Sequence, residues 1–178
     1  NVQIRITPSP EATMSLSTTT DEDVPAKLDF SAQQQNGETG ENISEVWISK
    51  ADLDSATGFS LTYGESGDPL DGSETGITLE NGWYKLDSTA SNNIYLKGDA
   101  NWHGNGNFTV RYGVEDPGDD GTVAPVSAMS GDQSYNVSVD PVTDQPALAV
   151  NSGQTATLDD PGNAVIELSI TNNGEGVG

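Results

Sequence analysis

Acidic side chains gathered in short turns are the residues of this chain whose types and spacing point most clearly to chemistry. Asp140 and Asp144 flank a Pro-Val-Thr spacer, and Asp21, Glu22 and Asp23 form a second acidic group. Ca²⁺ takes six to eight oxygens from carboxylates, carbonyls and water. The segment 140–144 would supply part of such a shell, with acids of an adjoining domain edge completing it. A solvated acidic loop is the alternative reading.

Another acidic loop provides the next candidate for a calcium site. Glu115, Asp116, Asp119 and Asp120 stand close together in a run that also contains Pro and Gly. Four carboxylates at one strand end would repel each other without a cation, although Asp and Gly also favour plain turns. Asp99, close to Asn101, is a further candidate, which would either ligate an ion through oxygen or simply begin a turn.

Trp83, Tyr95 and Arg111 are the candidates for binding a ligand. Each falls on the polar side of an alternating run of apolar and polar residues. Aromatic rings stack on sugars or pack on peptide side chains, and an Arg or Ca²⁺ can take a carboxylate. The alternative for Trp83 is a small satellite core under a loop. The facing of Trp47 is ambiguous from the sequence.

Catalysis has little support in this sequence, and we expect no enzyme. There is no Cys and a single His, and neither a Gly-x-Ser-x-Gly elbow nor a phosphate-binding loop is present. Paired carboxylates can hydrolyse glycosides, but among 28 acids some pair always falls at a suitable distance.

The net charge of the chain restricts its partners. With 28 acidic and 6 basic residues, the formal charge is −22. This field repels phosphate backbones, so we expect no nucleic-acid partner. No apolar run reaches the roughly 18–20 residues that span a bilayer, so we expect no membrane insertion. Repulsion among so many negative charges opposes a compact fold, so the chain must be disordered, live in high salt or bind cations. The regular apolar pattern favours bound cations over disorder.

Period-two alternation predicts an all-β fold, an antiparallel Ig-like or cadherin-like β-sandwich. Apolar residues alternate with polar ones in short runs bounded by Gly, Pro, Asn or Asp, and no window keeps a helical period. One hairpin can be placed closely, because Asn81-Gly82 is the strongest two-residue turn signal. Its register predicts a core face made of Ile77, Leu79, Tyr84 and Leu86, with Trp83 on the opposite face.

A weak internal repeat in the sequence indicates the domain organisation. An acidic group, an apolar strand and Asn-Gly-Glu occur in this order around residues 21–38 and again around 159–175. This predicts a lead-in strand at 1–6, a calcium-binding sandwich at 7–144, and at 145–178 the start of a similar unit or an added strand pair. Because the chain opens in a strand-like run without a signal peptide, we expect an internal piece of a longer protein.

Several stretches resemble the repeats of large bacterial RTX-type adhesins. The opening at 21–25, the Gly-Asp-Ala-Asn-Trp-His-Gly run at 98–104 with the strand after it, and the closing strand and linker at 135–146 are similar to those cadherin-like or Ig-like units. The resemblance covers most of residues 7–150. One departure is that the acidic Asp-x-Asp-Gly-Ser-Glu stretch of such repeats appears here only as Asn-Gly-Glu-Thr-Gly-Glu at 36–41.

The resemblance implies a calcium-bound module of a secreted protein held on the bacterial surface, with a role in cell adhesion and biofilm formation. Its partners would be neighbouring domains of the same adhesin and a peptide or glycan on a host or microbial surface. The alternative is a passive spacer without a ligand of its own. A third class, a halophilic soluble enzyme, would spread its acids evenly over the surface.

Overall fold

The computed structural model describes residues 10–35, 40–117 and 125–142, together with the backbone of two later strands. The fold is mostly strand, which confirms the predicted all-β class. Two compact units are present, Asn1–Pro141 and Val142–Gly178. The predicted lead-in strand at 1–6 and the Asn-Gly-Glu stretch at 36–38 lie outside the described residues.

Most strands have five residues or fewer, as the frequent Gly, Pro, Asn and Asp residues predict, and β10 with 13 residues is the longest of those described. In chain order they are β1 (Thr13–Met14), β2 (Ser17–Asp21), β3 (Ala26–Lys27), β4 (Ala32–Gln33), β5 (Asn42–Ser49), β6 (Phe59–Tyr63), β7 (Ile77–Glu80), β8 (Trp83–Asp87), β9 (Ile94–Gly98), β10 (Gly104–Asp116), β11 (Val126–Met129), β12 (Gln133–Asp140), β13 (Ala147–Val150) and β14 (Leu168–Thr171). The helix α1 (Lys50–Ser55) and a 3₁₀ turn at Ala90–Asn93 interrupt them.

The strands of the first unit form one large sheet and two small ones. The large sheet has the order β2-β12-β10-β5-β8-β7, with β11 also paired to β10. A three-stranded sheet has the order β3-β9-β6, and β1 pairs with β4. Among the described residues of this unit, all strand pairings are antiparallel except the parallel pair β2–β12. In the second unit, β13 and β14 form an antiparallel pair.

The core is a single apolar cluster that both larger sheets share. Alternate residues of β10 and β12 point into it, and they meet Leu61 and Leu96 of the three-stranded sheet. Phe108 stacks on Tyr135 with ring centroids 5.0 Å apart. The Tyr135 hydroxyl also hydrogen-bonds to the Thr18 hydroxyl at 2.6 Å, which ties the edge strand β2 to the core.

The β7–β8 hairpin has the predicted register, with Glu80 opposite Trp83 and Ile77 opposite Leu86. The turn residues Asn81 and Gly82 have φ of 50° and 84°, as a type I′ turn requires. The prediction for Leu79 was wrong, because this side chain is 49% exposed. It lies beside the turn on the edge strand of the sheet, which has a neighbouring strand on one side only.

Helix α1 is attached to the large sheet through Asp52. The Ser49 hydroxyl accepts a hydrogen bond from the Asp52 backbone N–H, which caps the helix. The Asp52 carboxylate accepts a hydrogen bond from the backbone N–H of Thr109 in β10 at 2.8 Å. The hydrogen bonds from Thr109 lower the pKa of Asp52 despite partial burial, and Ser49 contributes to the same shift.

We expect Asp52→Asn to lower the free energy of unfolding at pH 7 by about 1 kcal/mol, since a partly exposed charged acceptor is replaced. A carboxyl whose pKa is lower in the folded than in the unfolded state stabilises the fold at pH values above the unfolded pKa of about 3.9. This stabilisation is lost as the pH falls through the folded pKa. The difference from wild type should therefore shrink below about pH 4. Urea unfolding at several pH values measures it, with the exposed Asp54→Asn as control. A difference that does not depend on pH would contradict this account.

Candidate functional site

Several predicted calcium ligands meet at one end of the sandwich, where β2 and β12 finish side by side. The parallel register places Asp21 next to Asp140, and the Glu22 N–H donates to the Asp140 carbonyl at 2.9 Å. At the same end, β10 starts at Gly104 opposite Val139. We call this region, made of residues 21–23, 99–103 and 140, the linker end. Asp144 lies outside the described residues.

Glu22 is the unusual residue of the linker end. It is 2% exposed, and neither carboxylate oxygen makes a hydrogen bond among the described residues. His103 Nδ1 lies 3.6 Å from one of these oxygens. The two side chains form an ion pair only when the imidazole is protonated. An ionised carboxylate buried without such compensation costs several kcal/mol. A bound cation would compensate it, so this carboxylate is the strongest single indication of a metal site.

The other acids of the linker end remain at the surface. Asp21, Asp23 and Asp140 are exposed, and Asp23 has a φ of 62° in a turn closed by a hydrogen bond between Val24 N–H and the Asp21 carbonyl at 3.3 Å. Within the described ranges, no three acidic or imidazole side chains converge as a ready metal shell. Ca²⁺ bound to Glu22 would take further oxygens from backbone carbonyls, water and these exposed acids.

Asp99 is also exposed at this end, and it begins a turn. Its carbonyl accepts a hydrogen bond from the Trp102 N–H at 2.9 Å. The Trp102 ring packs against the core, 5.8 Å from the ring of Phe59. A Cβ on Gly58 would lie 2.0 Å from the indole nitrogen, so only glycine fits there.

Glu115 and Asp116 lie at the opposite end of the sandwich from the linker end. They terminate β10, a strand of 13 residues that begins at Gly104. At about 3.3 Å per residue the two ends are roughly 40 Å apart, so these acids cannot share an ion with Glu22. Asp119 and Asp120 lie outside the described residues.

Glu41 is a buried acid that the sequence reasoning missed. It is 3% exposed, and it lies near Glu115 because Asn42 pairs with Glu115. One carboxylate oxygen accepts a hydrogen bond from the Glu11 N–H at 2.7 Å, and the other has no hydrogen-bond partner among the described residues. Its neighbours Gly40 and Asn42 are not apolar, so no alternation indicates its burial. Glu22 was identified from the sequence as one of the acids at 21–23, but its burial was not, since the run from Ser17 to Asp23 is polar throughout.

Two tryptophans and two cations lie together on the outer face of the large sheet. Lys85, Trp47 and Arg111 are aligned across β8, β5 and β10. Lys85 Nζ lies 4.9 Å from the Trp47 ring centroid, and Arg111 Cζ lies 4.2 Å from that of Trp83. We call these four residues the tryptophan face. The two cation–π contacts hold both rings in fixed positions.

Carboxylates balance both cations of the tryptophan face. Lys85 Nζ lies 2.9 Å from a Glu45 carboxylate oxygen, and Arg111 Nε donates to Asp132. Burial raises the pKa of Glu45, but the ion pair with Lys85 lowers it below its usual value. The hydrogen bond between Arg111 and Asp132 raises the arginine pKa and lowers that of Asp132. The face is therefore locally neutral. A shallow depression of about 490 Å³ adjoins it, lined by Trp47, Arg111 and residues 129–132.

Tyr95 lies elsewhere than the other two predicted ligand-binding residues. It belongs to β9 in the three-stranded sheet, where its neighbours Ile94 and Leu96 are buried in the core. Tyr95 therefore faces away from the core on the opposite side of the sandwich from Trp83. The structure brings Trp83 and Arg111 together, and it adds Trp47, whose facing the sequence left ambiguous.

Comparison of the chain with known sequence families, with curated proteins and with solved structures gives no match. Among the residues that the structure describes, no helix has the length and apolar character needed to cross a membrane.

Proposed function

We propose that this chain is a calcium-stabilised module of a bacterial cell-surface adhesin that binds a peptide or sugar outside the cell. The observation that carries the proposal is the Glu22 carboxylate, buried at the linker end without a hydrogen bond among the described residues. A metal-stabilised sandwich without cysteine suits an exported protein, because bound ions take the role that disulfides often have there.

The position of Glu22 connects calcium with the ordering of two strand ends. The Glu22 N–H is bonded to the carbonyl of Asp140, the last residue of β12. An ion held here would fix the ends of β2 and β12. In a chain of net charge −22 it would also reduce self-repulsion.

The tryptophan face supports ligand binding. It presents two half-buried indole rings on an outer sheet surface, and a depression lies beside them. The second candidate function is a spacer with no ligand. One observation favours it: the cations of this face are already paired with Glu45 and Asp132, so the face is stable without a partner.

The two functions differ in an array experiment. In the presence of Ca²⁺ we expect the labelled protein to bind glycans or peptides on a mixed array, and Trp83→Ala to lower the signal at least tenfold, since a stacking ring is lost. Tyr95→Ala is the matched control, because it removes an outward aromatic residue from the other sheet. EGTA should abolish the signal. An array without any signal would contradict ligand binding and leave the spacer. Equal loss in both variants would contradict the tryptophan face as the binding site.

A further inference from the structure

Beside the tryptophan face, the large sheet carries a second outward surface of uncharged polar side chains. The strand pairing aligns Ser17, Asn136 and Asn107 in one row across β2, β12 and β10. It aligns Thr19, Ser138 and Asn105 in the next row. We call these six residues the polar ladder.

The polar ladder faces solvent because the residues between its members are buried. Phe108, Tyr135 and Val137 are at most 2% exposed, so their neighbours along β10 and β12 point outward. Gly106 separates the two ladder residues of β10, and a Cβ there would lie 2.4 Å from the Phe59 ring. A depression of about 320 Å³ runs over this surface and is lined by the ladder residues.

The asparagines of the ladder keep their hydrogen-bonding capacity free. Asn105, Asn107 and Asn136 are exposed, and their side-chain amides bond to no other described residue. Each amide offers two donors and one acceptor oxygen, and each hydroxyl of the ladder offers both functions. The surface can therefore exchange hydrogen bonds in both directions with a ligand rich in hydroxyl groups.

The charge of this surface favours a neutral ligand. The chain has 34 charged residues, 28 acidic and 6 basic, yet none belongs to the polar ladder. The ladder has no cation to bind an acidic group, and the net charge of −22 repels one. The ladder itself has no carboxylate, and the next row on the same face holds Asp21 and Asp140, which belong to the linker end. A neutral molecule rich in hydroxyl groups is not repelled by the net charge and needs no charged partner on the protein.

The polar ladder and the tryptophan face lie on the same outward side of the large sheet. Trp83 of β8 lies opposite Ser49 of β5, Trp47 of β5 lies opposite Arg111 of β10, and Asn107 of β10 lies opposite Asn136 of β12. From β8 to β2 there are four strand intervals. At about 4.8 Å each, the surface is roughly 19 Å wide, enough for several linked sugar rings.

We propose that this outer sheet face binds a stretch of a neutral polysaccharide, with the indole rings stacking on sugar faces and the polar ladder bonding to hydroxyl groups. This inference rests on the proposed function and specifies its ligand class.

Affinity electrophoresis in native gels containing Ca²⁺ tests the inference. The probes are four neutral polysaccharides (dextran, mannan, laminarin and xyloglucan) and two acidic ones (alginate and hyaluronan). We expect at least one neutral probe to retard the protein, and neither acidic probe to do so.

Two variants test which residues bind the polysaccharide. Trp83→Ala and Asn136→Asp should each weaken binding about tenfold, since one loses a stacking ring and the other gains an unpaired charge. Tyr95→Ala should bind as wild type does. Gels without polysaccharide correct for the altered charge, and thermal melts confirm that each variant is folded.

Several outcomes would overturn the inference. The inference fails if no neutral probe retards the protein, or if only the acidic probes do. It also fails if the folded Asn136→Asp variant binds as wild type does. If Trp83-dependent binding to array peptides persists in any of these cases, the proposed function stands and only the glycan assignment fails. If the array is also blank in Ca²⁺, ligand binding itself fails.

Discussion

Calcium at saturation is expected to raise the melting temperature of this chain by about 8–16 °C, and EGTA to reverse the change. A ligand at a thousand times its Kd that binds only the folded state contributes about 4 kcal/mol. For a chain of this length each kcal/mol corresponds to about 2–4 °C. Sodium chloride at matched ionic strength is the control, because it screens charge without occupying a site. Equal shifts in the two salts would contradict a specific site.

Glu22→Gln should change this response in a diagnostic way. In EGTA the variant should melt higher than wild type, because an uncompensated buried charge is removed while the side chain keeps its shape. In Ca²⁺ it should lose most of the shift. Asp54→Asn, an exposed acid on α1, is the matched control and should respond as wild type does. A full calcium shift in Glu22→Gln would show that the ion binds elsewhere.

Phe108→Ala is expected to lower the free energy of unfolding by about 3–5 kcal/mol. Phe108 is 1% exposed, and its ring stacks on Tyr135 at 5.0 Å in the middle of the large sheet. The loss is a large share of the 5–15 kcal/mol typical of a native domain. Urea unfolding in Ca²⁺ measures it.

The adjacent variant Asn107→Ala is the control for Phe108→Ala. Asn107 is exposed on the same strand, so its replacement should change stability by no more than about 0.5 kcal/mol. If both variants lost the same free energy, β10 would not alternate between core and solvent as the burial pattern shows.

The parts of the fold that local physics determines could be predicted from the sequence. The register of β7 and β8 followed from Asn81-Gly82, because a two-residue turn fixes every pair after it. The exposure of Leu79 did not follow, since it depends on β7 being an edge strand, and edge position is decided by distant pairings.

The candidate sites show the same division between local and long-range information. Alternation correctly placed Trp83, Tyr95 and Arg111 on polar faces, but it could not assign them to sheets. Tyr95 joined the three-stranded sheet, whereas β5 brought Trp47 between β8 and β10. Likewise, the acidic group at 21–23 was visible in the sequence, while its contact with Asp140 depends on a parallel pairing of strands more than a hundred residues apart.

The most direct test of a cation at Glu22 is an anomalous difference map from a crystal grown in CaCl₂. The account predicts a calcium peak about 2.3–2.6 Å from a Glu22 carboxylate oxygen, at the end of the sandwich where Asp21 and Asp140 lie side by side. An ordered Glu22 with no peak beside it, its carboxylate bonded to His103 alone, would contradict the account.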